Sequence, residues 1–267
     1  MFDKIFHSEE YETLTFVEKL NELRNKNREL ILENKLLLDQ FNTVNVLLNL
    51  QYQIGSHFIP YSALDREVGS IQPILLSTFH KNSLALYSSI QLTADGLYGS
   101  GRSLLRYVFE ALMIGKFCAL SKDDRVFTKW LKAEPVYFTN MVLKKIIKPE
   151  TDQFTELWSA LNDFAHFTSR SQQIELDAYN KDNLYAISLN FSLHRMLLEC
   201  NYHLINAFYI NTSQIRHLVK TYGNQAIAKE LKEKMNNLLR DSKEDMSLSS
   251  KRFIRSYIRT WKIKESV

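Results

Sequence analysis

The sequence predicts an all-α protein, a multi-helix bundle that begins with a long coiled-coil-like helix. Three observations support this fold class. The 267 residues include only 7 Gly and 4 Pro, where average usage would give about 19 and about 13, so helix-breaking residues are scarce. Hydrophobic residues make up 45% of the chain, enough for a sizeable core. An apolar heptad pattern runs through residues 9–54.

The heptad segment is apolar at every d position: Phe16, Leu23, Leu30, Leu37 and Val44. Asn27 and Asn34 occupy a positions, which is typical of parallel dimers because a buried Asn fixes the register. Apolar e positions, such as Ile31 and Leu38, widen the stripe and favour a helix packed on its own bundle. We therefore predict a homodimer or a protein partner bound through residues 9–54, with packing inside the chain as the alternative.

Residues 55–246 are predicted to form the helical bundle domain. A connector over 55–69 leads to a helix over 70–94. The stretch 95–101 contains three of the seven glycines, which indicates a tight turn or a close backbone approach. An anion cradle at the start of the next helix is the alternative. That third helix is expected over 102–120.

Proline and glycine divide the second half of the chain. Pro135 splits a helical region over 123–147. Pro149, followed by acidic residues, predicts the start of a helix that ends at His166 or Arg170. The remaining predicted elements are a polar loop over 171–181, a long apolar helix over 182–211, a helix or helix pair over 213–240 broken at Gly223, and a basic amphipathic helix over 247–264 in a C-terminal unit, 247–267.

Composition favours a soluble, cytoplasmic protein. The net charge of +4 permits contact with nucleic acid without requiring it. Cys118 and Cys200 lie in apolar helical stretches, so we expect buried free thiols in a reducing compartment. The most apolar stretches, 107–120 and 184–210, contain charged residues, and therefore no transmembrane helix is expected. The N-terminus lacks the pattern of a signal peptide.

Two arginines and a glutamate, Arg102, Arg106 and Glu110, lie four residues apart on one face of the third helix. Two neighbouring guanidinium groups can hold a phosphate or a carboxylate. The alternative is an Arg106–Glu110 ion pair on the helix flank, with Arg102 in solvent.

Asp163, His166 and Arg170 form a second candidate set. On a helix, Asp163 and His166 share a face, so the carboxylate can orient the imidazole for acid–base chemistry. The alternative is a histidine that interacts with the dipole at the end of the helix. His194, Glu199 and His203 do not have metal-binding spacing, because the two histidines lie nine residues apart. We predict no metal site and no cofactor.

The last predicted helix carries Arg252, Arg255, Arg259 and Lys262 on one face and Ile254, Tyr257, Ile258 and Trp261 on another. A basic face beside aromatic residues suits RNA, DNA or an anionic membrane surface. The alternative is an amphipathic helix that caps the bundle and leaves its basic face in solvent.

Residues 101–112, with the pattern Arg102, Arg106 and Glu110, and residues 162–166, a helix end with a histidine, together resemble HEPN-like helical families of abortive-infection and toxin–antitoxin proteins. The resemblance covers roughly residues 70–211. It implies a helical bundle that binds or cuts RNA. HEPN ribonucleases carry an Arg and a His four to six residues apart on one helix, and this sequence has no such pair, so an active centre would combine two helices.

The resulting hypothesis is an RNA-directed protein that acts as a metal-independent ribonuclease in phage defence or a toxin-type stress response. His166 would be the general acid–base group, Asp163 would orient it, and Arg102 and Arg106 would stabilise the phosphorane. Arg170 and three arginines of the last helix would bind phosphates: Arg252, Arg255 and Arg259. The alternative is a non-catalytic dimeric interaction or regulatory protein, and a third hypothesis is a membrane-surface binder.

Overall fold

The computed structural model describes residues 16–58, 71–121, 125–148, 150–165, 184–243 and 246–263. These residues form an all-α, multi-helix bundle, which confirms the predicted fold class. Their only extended pairing is an isolated antiparallel bridge between Ile146 and Ile263.

Eleven α-helices span the described residues: α1 Phe16–Glu33, α2 Lys35–Phe58, α3 Gln72–Ala94, α4 Tyr98–Leu120, α5 Arg125–Leu131, α6 Phe138–Met141, α7 Glu150–Ala165, α8 Leu184–Ile205, α9 Ser213–Tyr222, α10 Gln225–Asp241 and α11 Leu248–Ile258. A 3₁₀ turn, Leu143–Lys145, follows α6, and a π-helical turn, Asn206–Ile210, extends α8. The breaks predicted at Pro135 and Gly223 lie between helices.

Helix α8 is central to the bundle because it packs against α2, α3, α4 and α11. Most of its residues are buried, including polar ones such as Asn190, His194 and Glu199, so other elements cover the helix on nearly all sides. Helix α4 pairs closely with α3 on one side and with α7 on the other. One continuous core extends from Ile31 to Trp261, so α2 and α11 contribute to the same core as the central helices.

The long N-terminal helix predicted over 9–54 is not continuous in the described residues. Its helical path is interrupted at Asn34, whose side-chain Oδ1 accepts a hydrogen bond from the backbone N–H of Leu37 at 3.1 Å. An asparagine side chain that satisfies an N–H in this way starts a new helix. Helix α1 is therefore short, and α2 continues past the expected end to Phe58.

Asn27 packs inside the chain. Its Nδ2 donates to the carbonyl oxygens of Thr93 and Ala94, both at 2.9 Å, and its Oδ1 accepts a hydrogen bond from Tyr98. Beside it, Asp95 pairs with two arginines of α1, Arg24 and Arg28. The polar a position thus anchors α1 to the turn between α3 and α4, as the intrachain alternative expects.

The glycine-rich stretch contains a shorter turn than predicted. Gly96 has φ +83°, a left-handed conformation that suits glycine, and α4 begins at Tyr98 rather than at Arg102. Gly101 therefore lies in the first turn of α4, where a Cβ would lie 3.2 Å from the carbonyl oxygen of Ser89. The predicted close backbone approach is found here, between α3 and α4.

Candidate functional site

Arg102 is buried, so the alternative that placed it in solvent is wrong. Its Nε donates to Oδ1 of Asn190 on α8 at 2.6 Å, and the Asn190 amide lies 3.3 Å from Thr93 Oγ1 on α3. Burial lowers the pKa of Arg102 to about 10, so the side chain stays protonated at neutral pH. Arg102 therefore links three central helices.

Arg106 forms the predicted ion pair with Glu110. Its Nε and Nη2 each lie 3.1 Å from Oε1 of Glu110, and its guanidinium lies 4.5 Å from the ring centre of Trp158 on α7. Burial raises the pKa of Glu110, while the charge of Arg106 opposes that shift. Because Arg102 is held by α8 and Arg106 by Glu110, the two guanidinium groups have separate partners.

Asp163 is near the C-terminal end of α7. The other two members of its set, His166 and Arg170, lie outside the described residues. The acid–base role of His166, its orientation by Asp163 and the phosphate contact of Arg170 stay predictions.

His194 is fully buried and belongs to a polar network that the sequence did not predict. Its Nδ1 lies 2.6 Å from the carbonyl oxygen of Asn190, and its Nε2 lies 2.8 Å from Ser89 Oγ. Ser89 Oγ also lies 2.7 Å from the carbonyl oxygen of Gly101. Burial lowers the pKa of His194 to about 4, so the imidazole is neutral at pH 7. Asn190 thus contacts both Arg102 and His194, in a place that solvent does not reach.

Glu199 lies beside two cations, Arg195 and Lys243, and beside His203, whose pKa is lowered by burial. The buried Glu199 carboxylate lies 2.9 Å from Arg195 Nη1, 3.3 Å from Lys243 Nζ and 3.9 Å from His203 Nε2. Within the described ranges, no three His, Cys, Asp or Glu side chains form a group that could hold a metal ion. We assign this cluster to the attachment of α8 to the end of α10.

Helix α11 presents the predicted arginines to solvent. Ser247 caps its first turn, Phe253 and Tyr257 face the core, and three arginines are exposed: Arg252, Arg255 and Arg259. The prediction of a helix up to residue 264 is wrong, because α11 ends at Ile258 and the chain continues in an extended form. Ile258 is 43% exposed and lies outside the apolar face.

Lys116 of α4 fixes the end of α11. Its buried Nζ donates to the carbonyl oxygens of Tyr257 and Arg259, the latter at 2.7 Å, and lies 4.4 Å from the ring centre of Trp261. A cation at the C-terminal end of a helix satisfies carbonyl groups that have no partner inside the helix. Burial lowers the pKa of Lys116 to about 8. Lys116 therefore fixes the backbone where α11 ends and the extended segment begins.

The extended chain after α11 joins a second lysine-rich segment. The backbone N–H of Ile147 donates to the carbonyl oxygen of Lys262 at 2.8 Å, next to the bridge between Ile146 and Ile263. Lys144 and Lys148 are exposed beside this junction. We use the name basic face for the cationic side chains of these two joined segments, residues 125–148 and 246–263. Two of its lysines have carboxylate partners, since Lys129 lies 3.3 Å from Glu134 and Lys148 lies 3.4 Å from Asp152.

Two cavities border the basic face. One, of about 640 Å³, lies between α7, α8 and α11 and is lined by Arg252, Glu156 and several hydroxyl groups: Tyr185, Ser188, Ser192, Ser247, Ser249 and Ser250. The other, of about 500 Å³, is lined by the cations Arg125, Lys129 and Lys145. Sequence reasoning found the arginines of α11 from their spacing, but no local pattern indicated the cations of 125–148.

None of the comparisons with known proteins found a relative of this chain. No protein-family model matches the chain, and neither the curated proteins nor the solved structures contain a match. Among the described helices, none combines the length and the apolar composition that crossing a bilayer requires.

Proposed function

We propose that this protein binds RNA through the phosphate backbone and that the basic face is the binding surface. Contact with phosphates needs clustered, exposed cations and no particular base sequence. The HEPN-like resemblance of residues 101–112 and 162–166 points to the same class of ligand.

The distribution of charge supports this proposal. Residues 125–148 and 246–263 contain eleven Lys or Arg and one acidic residue, Glu134, for a net charge of +10. Since the whole chain carries +4, the remaining residues together carry −6. This asymmetry is the observation on which the proposal rests, because a solvated amphipathic helix would need no second basic segment beside it.

Binding is better supported than cleavage. Arg102 is buried against Asn190, so its guanidinium does not reach a phosphate in this arrangement, and Arg106, which is partly exposed, is already paired with Glu110. An arginine that stabilises a phosphorane must reach the scissile phosphate. We therefore propose RNA binding as the main activity and keep metal-independent cleavage as a separate hypothesis.

Fluorescence anisotropy with a labelled single-stranded RNA of mixed sequence tests the proposal. The variant exchanges Arg252, Arg255 and Arg259 for Gln, and its matched control exchanges three exposed cations elsewhere: Lys81, Lys234 and Arg240. We expect the first variant to bind at least about tenfold more weakly and the control to bind like the wild type. Equal affinity of all three proteins, or no RNA binding by the wild type, would overturn the proposal.

Cleavage has its own assay. The purified protein is incubated with total RNA in EDTA beside His166→Ala and Arg106→Ala. Loss of cleavage in both variants would add a ribonuclease activity. Cleavage that survives both substitutions would reject these residues as the catalytic pair.

Self-association is a second candidate function, favoured by two exposed leucines on either side of Asn34. Leu32 is 65% exposed and Leu36 is 57% exposed. Deleting residues 1–54 would remove core residues such as Val44, so the sharper test is light scattering of Leu32→Gln/Leu36→Gln beside the wild type. A dimeric wild type and a monomeric variant support this candidate, while a monomeric wild type removes it.

A further inference from the structure

A cavity of about 450 Å³ lies on a different part of the molecule from the basic face, between α9, α10 and the end of α2. Its apolar lining comes from four residues: Phe58, Ile210, Val219 and Ala228. All four are buried. Cavities of this size with an apolar floor and a few polar groups are typical of sites for small organic ligands.

Two cations, Arg216 of α9 and Lys232 of α10, lie at the wall of this cavity. Lys232 Nζ donates to Oδ1 of Asn211 at 2.8 Å. The pKa of Lys232 is lowered, first by burial and then by the positive charge of Arg216. The two like charges are therefore close enough to repel each other, and an anion between them would relieve that repulsion.

The other charged groups of the lining leave this positive balance in place. Lys220 and Lys229 are exposed cations, and Glu233 is the acidic residue among the lining side chains. The Glu233 carboxylate lies 3.7 Å from Lys229 Nζ, on the outer surface of α10. Four cations thus surround the apolar floor with one carboxylate, which has a lysine partner.

We infer that this cavity binds a small amphipathic anion, such as a medium-chain carboxylate. Its charged head would lie between Arg216 and Lys232, where charge-assisted hydrogen bonds are strong. Its apolar body would cover the floor formed by Phe58, Ile210, Val219 and Ala228, and remove that surface from water. None of these residues belongs to the basic face, so the inference does not depend on RNA binding.

Titration of the full chain with the fluorescent sulfonate 1-anilinonaphthalene-8-sulfonate, followed by competition with decanoate, tests the inference. We expect saturable binding of one probe per chain and displacement by decanoate, with much weaker displacement by uncharged decanol. Arg216→Gln and Lys232→Met should each weaken both ligands about tenfold, the loss of one charge-assisted contact. Lys234→Met, on the same helix but paired with Glu230 at 2.6 Å, is the matched control and should bind like the wild type.

Three results would overturn the inference. These are equal probe affinity in the wild type and both cavity variants, equal displacement by decanol and decanoate, and the absence of saturable binding by a wild type that circular dichroism shows to be folded. Arg216 is exposed, so Arg216→Gln keeps the test available if Lys232→Met does not fold.

Discussion

Ile147 donates its backbone N–H to the carbonyl oxygen of Lys262 at 2.8 Å and so joins two basic segments that lie more than a hundred residues apart in sequence. Lys116 holds the neighbouring end of α11 through the carbonyl oxygens of Tyr257 and Arg259. The basic face therefore depends on tertiary contacts as well as on the spacing of arginines within one helix.

Truncation of Arg102 should lower the stability of the protein, whereas truncation of Arg252 should weaken RNA binding. Arg102→Ala leaves buried partners without their hydrogen bonds and should lower the free energy of unfolding by about 2–4 kcal/mol, with RNA affinity of the folded protein unchanged. Arg252→Ala should leave stability within about 0.5 kcal/mol and weaken RNA binding. Urea denaturation and fluorescence anisotropy measure the two effects. A loss of RNA binding by folded Arg102→Ala at unchanged stability would contradict the structural role of Arg102.

Asn27 should stabilise the monomer fold. Asn27→Ala removes the partner of Tyr98 and leaves the carbonyl groups of Thr93 and Ala94 without their donor, so we expect a loss of about 1–3 kcal/mol in the free energy of unfolding. Asn25→Ala, at an exposed position of the same helix, is the control and should change it by less than about 0.5 kcal/mol. Light scattering that shows a changed oligomeric state without a loss of stability would instead place Asn27 in a dimer interface.

Gly101→Ala should destabilise the protein although alanine favours helices. Helix propensity alone would add about 1 kcal/mol. The new Cβ would lie 3.0 Å from Thr93 Oγ1 and 3.2 Å from the carbonyl oxygen of Ser89, and such overpacking costs about 1–3 kcal/mol. Thermal or urea denaturation gives the sign of the change in the free energy of unfolding. Ser100→Ala, at an exposed position, is the control and should leave stability unchanged. A stabilised Gly101→Ala protein would show that α3 and α4 can separate easily at this point.

His194 should make the fold sensitive to acid. Its folded pKa of about 4 lies below the ordinary value of 6.5, so the unfolded chain binds the proton more readily. Its contribution to stability is complete above pH 6.5 and falls as the pH drops toward 4. Between pH 7 and 5 we expect a loss of about 2 kcal/mol from this group.

Urea denaturation at both pH values, on the wild type and on His194→Gln, isolates that contribution. The wild type should lose more stability than the variant between the two pH values. Equal losses, or an imidazole that titrates near pH 6.5 by NMR, would contradict the buried neutral state of His194.

The helices could be predicted from sequence because their signals are local. Pro135 and Gly223 lie between helices, α7 begins at Glu150 as predicted, and the apolar stretch 184–210 contains the central helix α8. The interruption at Asn34 could not be predicted, because an asparagine at an a position fits a dimer register as well as a helix cap. In the structure its side chain accepts the N–H of Leu37.

The candidate site was less predictable because its contacts are long-range. Spacing places Arg102 and Arg106 on one face of a helix, but it does not say that α8 covers Arg102 through Asn190. The exposed arginines of α11 follow from its amphipathic pattern. Their junction with residues 144–148 depends on one backbone pairing, which no local pattern indicates.

The salt dependence of RNA affinity tests most directly whether the two segments act as one binding surface. The proteins compared are the wild type, the α11 variant without Arg252, Arg255 and Arg259, and a variant with Gln at Lys144, Lys145 and Lys148. Each lost phosphate contact should reduce the slope of log affinity against log salt by about 0.7 for single-stranded RNA. We predict a flatter slope for both variants and an unchanged slope for the Lys81, Lys234 and Arg240 control. A variant of residues 144–148 with the wild-type slope would contradict the account.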